Sequence, residues 1–165
     1  MKLQFLLFGL LIILFSACKK QSYNATSQAA IDEVKIQKYI AANHITATKD
    51  PSGIYYQILT PNPGPHPSIA DSDTVQVTYT GKLLNGGVFD SANVTTLALT
   101  DLIPGFADGM QLIGTNGTKP YGRILIIIPS SLGYGSVAQP AGNGVAIPPN
   151  NVLVYTVDLI GFYGK

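Results

Sequence analysis

The residues able to do chemistry in this 165-residue chain are few, and what is missing narrows the field first. There is one cysteine, Cys18, and there are two histidines, His44 and His66, with no acidic cluster beside either at metal-ligand spacing. No hydrolytic triad or dithiol can be assembled from such a set, and neither a metal nor a cofactor is expected. What remains is non-covalent chemistry, and it begins in the stretch Val77–Ala92, VTYTGKLLNGGVFDSA. Tyr79 enters on one strand, and Phe89 and Asp90 come back on the next, an aromatic beside a carboxylate. Taken alone, Phe89-Asp90-Ser91 reads as a strand end with a local turn acceptor. The rest of the chain must supply further walls for these side chains to enclose a cavity.

The elements that would hold them can be read in order. Val75, Val77 and Tyr79 alternate with Gln76, Thr78 and Thr80, the period of a strand with one buried face, and Asn85-Gly86-Gly87 turns it back. Ile54 to Leu59 predicts an earlier strand, and Thr96 to Thr100 a short one after the hairpin. Pro104 suits the first position of a helix, because its missing N–H would be unpaired there anyway. That helix, Pro104 to about Gln111, would turn Phe106, Met110 and Leu112 inward. Gly122 to Ile128 is almost continuously apolar, as befits a central strand covered on both faces. Ser130 to Gly135 turns, Ser136 to Ala146 loops, and Ile147-Pro148-Pro149-Asn150-Asn151 forms a stiff tip. On the last strand, Val152 to Phe162, the side chains of Leu153, Tyr155, Val157 and Leu159 share a face. Upstream, Gln28 to Asn43 reads as a weakly amphipathic helix with Ser27 as its cap and Asp32 and Glu33 where the dipole favours them. Ala29, Ile36 and Ile40 give its one stripe, so it would lie outside the domain or act as a spacer, with His44 just past its end. Thr60 to Pro67 holds four prolines and makes a surface loop, and Gly114 to Lys119 has the wrong spacing for a phosphate loop and reads as a turn.

Composition sets the outer limits. Charged residues make up only 12%, with ten basic against nine acidic side chains, which excludes a nucleic-acid footprint. Lys2 precedes an apolar run from Phe5 to Phe15, shorter than the roughly 20 residues a spanning helix needs. Small residues and Cys18 follow, so residues 1–17 read as a secretory signal. Phe15-Ser16-Ala17-Cys18 resembles the bacterial lipobox, in which the cysteine becomes the lipidated first residue; a free or intermolecular thiol is the alternative. The expected division is a signal at 1–17, a lipidated tether with the helix at 18–50, and a folded domain at 51–165.

Three separated segments then fall in one order: Tyr79-Thr80-Gly81 with Phe89-Asp90-Ser91, Ile103-Pro104-Gly105-Phe106, and Leu132-Gly133-Tyr134-Gly135 through Ile147-Pro148-Pro149-Asn150. Together they strongly resemble the FKBP-type peptidyl-prolyl cis-trans isomerases over roughly Gly53 to Phe162. The resemblance implies an α+β fold: a twisted antiparallel sheet of about five strands wrapped around one short helix, here preceded by an N-terminal helix. It implies an apolar cleft walled by Tyr79, Phe89, Leu102, Ile103, Tyr134, Ile147 and Tyr155, with Phe106 as the floor in place of the family's usual tryptophan. Where the family usually places an aromatic before the helix, Thr95 to Leu99 offers none, so one wall should be smaller. By the same resemblance the Ile103 N–H and the Tyr134 hydroxyl would donate to substrate carbonyls. Asp90 would lie near the rotating carbonyl, held by a hydroxyl such as that of Tyr79.

Such a site suits the reaction. Amide rotation faces a barrier of about 18–20 kcal/mol, and X-Pro bonds exchange over tens of seconds although their two states are nearly equal in energy. A catalyst breaks no bond; it need only favour the twisted amide, whose charge separation is reduced, and an apolar, water-poor hollow does so. The expectation is an isomerase acting on proline-containing polypeptides among exported proteins. It would be monomeric and held to a membrane through Cys18, facing the periplasm or cell surface. The alternatives are a low-turnover chaperone or adaptor using the same cleft and, more remotely, an immunoglobulin-like sandwich without a helix at Phe106.

Overall fold

The computed structural model describes residues 24–61, 69–113, 121–142 and 144–164. The signal segment, Cys18, His66 with most of its proline-rich loop, and the GTNGTK turn lie outside them. Six strands form one antiparallel sheet: β1 (Thr48–Lys49), β2 (Tyr55–Thr60), β3 (Thr74–Leu83), β4 (Val88–Ala98), β5 (Gly122–Ile128) and β6 (Leu153–Tyr163). Their order across the sheet is β1-β2-β5-β6-β3-β4. The architecture is α+β, and the two-residue β1 is what the expected count of about five lacked.

A helix covers each face. On one side α2 (Pro104–Gln111) sends Phe106 and Met110 into a core with Val75, Val77, Ile124, Ile126, Leu153 and Leu159. Leu112, its cap, is only partly buried against that core, and Ile113 completes the packing. The helix comes close because it offers the sheet glycine: a Cβ at Gly105 would lie 2.4 Å from Ile128 Cγ2, and one at Gly109 2.3 Å from Ile126 Cδ1. On the other side α1 (Ala25–Ala42) lays Ile36, with Tyr39 and Ile40 beside it, over Tyr55, Ile127 and Val154. Strand β5, whose side chains point alternately into these two layers, is thus covered on both faces from Ile124 to Ile128, and this is why that run is apolar; Arg123 before it is exposed and pairs with Asp158.

Two expectations about α1 change. Its cap is Asn24, whose side-chain oxygen accepts from the Thr26 and Ser27 N–H groups at 3.0 and 3.2 Å, so the helix starts before Ser27. Asp32 is buried and accepts from the Ser130 N–H at 2.8 Å and the Ser130 hydroxyl at 2.5 Å, with Gln28 Nε2 donating to its other oxygen at 2.7 Å. Its task is to dock the helix, which is therefore no free spacer. Glu33 adds an ion pair with Lys49 at 2.8 Å and accepts from the Tyr55 hydroxyl. Those donors hold its carboxyl down at about 2, the Lys49 hydrogen bond being the largest influence.

The strand expected at Thr96 to Thr100 is the end of β4, which runs unbroken from the hairpin to Ala98; a 3-10 turn, Leu99–Asp101, then leads into α2.

Candidate active site

The site depends on an irregularity in β4. Tyr79 pairs with Ala92 and Gly81 with Asp90, but Val77 pairs with Thr95 and Val75 with Leu97. Two residues, Asn93 and Val94, thus oppose Thr78 alone, a β-bulge. Asp90 and Leu97 are separated by an odd number of positions and would face opposite sides of a regular strand. The bulge restores the parity and turns both inward. Val94 takes φ +40°, a conformation a β-branched residue rarely adopts, and its N–H reaches the Thr78 hydroxyl at 3.4 Å.

Gly81 does the complementary work on β3. It pairs with Asp90 on one side and Tyr155 on the other, and a Cβ there would lie 2.6 Å from Phe89 Cζ and 2.8 Å from Tyr155 Cε1. Its bare backbone leaves room for the aromatic rings. Phe106 meets Tyr155 edge-on at 5.0 Å between centroids and Tyr79 at 6.0 Å, while Phe89 stands edge-on to Tyr155 at 5.4 Å.

These side chains enclose a cavity of about 170 Å³. Phe106 at the start of α2, Tyr155 from β6, Tyr79 from β3 and Tyr134 from the turn after β5 line it with Leu102 and Ile103. Asp90 contributes the polar wall: its Oδ2 accepts from the Tyr79 hydroxyl at 2.7 Å and its Oδ1 from the Ser91 N–H at 2.8 Å. The three phenols are all pushed up from the ordinary tyrosine value. For Tyr79 the cause is burial and then the hydrogen bond to Asp90; for Tyr134, burial and then the Asp90 charge; for Tyr155, burial above all. At neutral pH they stay protonated, hydroxyl groups in a hollow whose other polar lining is the pair of carboxylates Asp90 and Asp101. The Ile103 N–H, at the N-terminus of α2, has no acceptor among the described residues.

Seven of the nine cleft residues read from the sequence line this cavity: Tyr79, Asp90, Leu102, Ile103, Phe106, Tyr134 and Tyr155. Phe89 and Ile147 do not. Phe89 is buried in the core against Tyr155: it falls at a second register shift, between the pairs Gly81–Asp90 and Lys82–Val88, so simple alternation fails there and its ring packs over Gly81 behind the cavity wall. Ile147 is likewise buried in the core, on the segment that bridges to Gln139. Two lining residues escaped the sequence reading, Leu97 and Asp101. Leu97 is the wall in the stretch without an aromatic, and the reversal of parity at Val94 hid it.

The family model for FKBP-type peptidyl-prolyl cis-trans isomerases matches residues 66–160, more than half of the chain. The chain belongs to this family. Among curated relatives, a probable FKBP-type peptidyl-prolyl cis-trans isomerase of Haemophilus influenzae is 34% identical over 151 residues, covering 89% of this chain and 58% of its own. The outer membrane protein MIP of Legionella longbeachae is 31% identical, covering 86% and 58%. This FKBP-type chain thus spans a little over half the length of the curated relatives it matches. Among solved structures, a peptidyl-prolyl cis-trans isomerase of Pseudomonas syringae superposes with a TM-score of 0.65 over 86% of this chain and 98% of its own. At 24% identity that likeness speaks to the fold alone.

Proposed function

We propose that this cleft catalyses cis-trans isomerisation of X-Pro bonds. The observation that carries the reading is a hollow floored by Phe106 and Tyr155 in which the Asp90 carboxylate is fixed by the Tyr79 hydroxyl. A proline ring fills the apolar base and sheds water, which favours the twisted amide over the planar, more polar one. The Ile103 N–H and the Tyr134 hydroxyl, both from residues lining the cavity, would donate to flanking carbonyls and fix the chain on either side of the rotating bond. Asp90 faces the carbon-oxygen group as it turns. No step needs a nucleophile or an acid.

A protease-coupled assay on a proline-containing peptide tests this with the full chain in detergent. The prediction is exchange faster than the uncatalysed rate, and a rate equal to it would leave only peptide holding as a role for the cleft. The family membership and the name of the Legionella relative, an outer membrane protein, support an exported protein. The lipobox-like Phe15-Ser16-Ala17-Cys18 supports anchoring through a lipid on Cys18, with proline-containing exported polypeptides as substrates and a monomer as the working unit. Palmitate labelling that persists in a Cys18→Ser variant would refute the anchor.

A further inference from the structure

The geometry points to Asp101 as a specificity-determining residue that makes the cleft prefer a cationic side chain next to the substrate proline. This rests on the isomerase reading and deepens it. Two carboxylates line the cavity, those of Asp90 and Asp101, and no Lys, Arg or His lines it among the described residues. The two differ in availability. Asp90 has an oxygen committed to the Tyr79 hydroxyl at 2.7 Å and the other to the Ser91 N–H at 2.8 Å. Asp101 is exposed at the mouth and carries only a 3.3 Å contact from the Thr100 hydroxyl of its own 3-10 turn. Its turn ends two residues before Ile103, and both residues line the same cavity, so the carboxylate opens on the hollow in which that N–H would hold the substrate backbone. The same cavity is lined by Leu97, an aliphatic side chain along which the stem of a lysine or arginine can lie while its charge reaches Asp101. The chain as a whole is close to neutral, with ten basic and nine acidic residues, so the preference would come from this local pair and not from a general field.

The test measures kcat/KM for peptides that differ only in the residue before or after proline, set to Lys, Leu or Glu. Wild type should favour Lys over Glu by about two- to fivefold at low salt, the size expected of a solvent-exposed ion pair, and less at high salt. Asp101→Asn should bring the ratio toward one and Asp101→Lys should invert it. A ratio of two rates on one protein sample is insensitive to loss of folded material. A wild-type ratio of one at both positions, or a ratio unmoved by Asp101→Lys, overturns the inference while leaving the isomerase reading intact. If no peptide turns over faster than the uncatalysed rate, the isomerase reading itself fails. The affinity ratio of the same peptides, measured by fluorescence anisotropy, then decides the role of Asp101 separately.

Discussion

Replacing Tyr79 with phenylalanine removes one oxygen atom and leaves the ring in place. The contacts at 6.0 Å to Phe106 and to Tyr155 survive, so the apolar cavity keeps its shape. What is lost is the 2.7 Å hydrogen bond that fixes the Asp90 carboxylate. Hydrogen bonds to charged groups contribute about 1.5–3 kcal/mol, and the partly solvated position puts this one at the lower end. If the fixed carboxylate acts mainly in the transition state, about 1.5 kcal/mol corresponds to roughly a tenfold fall in kcat/KM. The assay is the protease-coupled exchange of a proline peptide for wild type, Tyr79→Phe, Asp90→Ala and the double variant. If Tyr79 works through Asp90, the double variant should be no slower than Asp90→Ala alone. Wild-type turnover in Tyr79→Phe, or losses that simply multiply in the double variant, would refute the assigned chain of positioning.

Three further outcomes follow from the packing. Gly81→Ala places a methyl 2.6 Å from the Phe89 ring and 2.8 Å from Tyr155, so it should cost about 1–3 kcal/mol in a denaturant titration and lower kcat/KM as the rings are displaced. Asp32→Ala leaves the buried Ser130 N–H and hydroxyl without their acceptor and should cost about 1–3 kcal/mol, with faster amide hydrogen exchange at Ser130. Glu33 is held at about 2 against 4.5 in the unfolded chain. Its stabilising contribution is therefore full above about pH 4.5 and lost as the pH falls toward 2. Because Glu33 and Lys49 are both well exposed, the effect is limited to about 0.2–1 kcal/mol, and Glu33→Gln should flatten the stability profile over that window.

Where the sequence spoke clearly, the signal was local. Pro104 marks the first turn of α2, and the helix ends at Gln111 as its pattern indicated. The apolar run at Gly122–Ile128 is a strand between two covered faces, and Leu153, Tyr155, Val157 and Leu159 share the core side of β6. Where it was silent, the cause was long range or against type. An aspartate early in a helix looks like a partner for the dipole, and nothing near Asp32 announces an acceptor for Ser130, 98 positions further along the chain. Valine is among the residues least suited to positive φ, so Val94 gave no sign of a bulge; Thr95 to Leu99 was legible as a smaller wall, but that Leu97 is the side chain turned inward depends on that bulge.

The clamp between Asp32 and Ser130 reaches further than the helix it secures. The Ser130 carbonyl accepts from the Gly133 and Gly135 N–H groups at 3.1 and 2.8 Å, bracketing Tyr134. The N-terminal helix is therefore geared to the turn that carries a hydroxyl of the candidate cleft, and a pull on the helix would act on that turn. A chain cut at residue 51 would lose more than a stalk: it would leave the turn that brings Tyr134 to the candidate site without the acceptor that ties down Ser130.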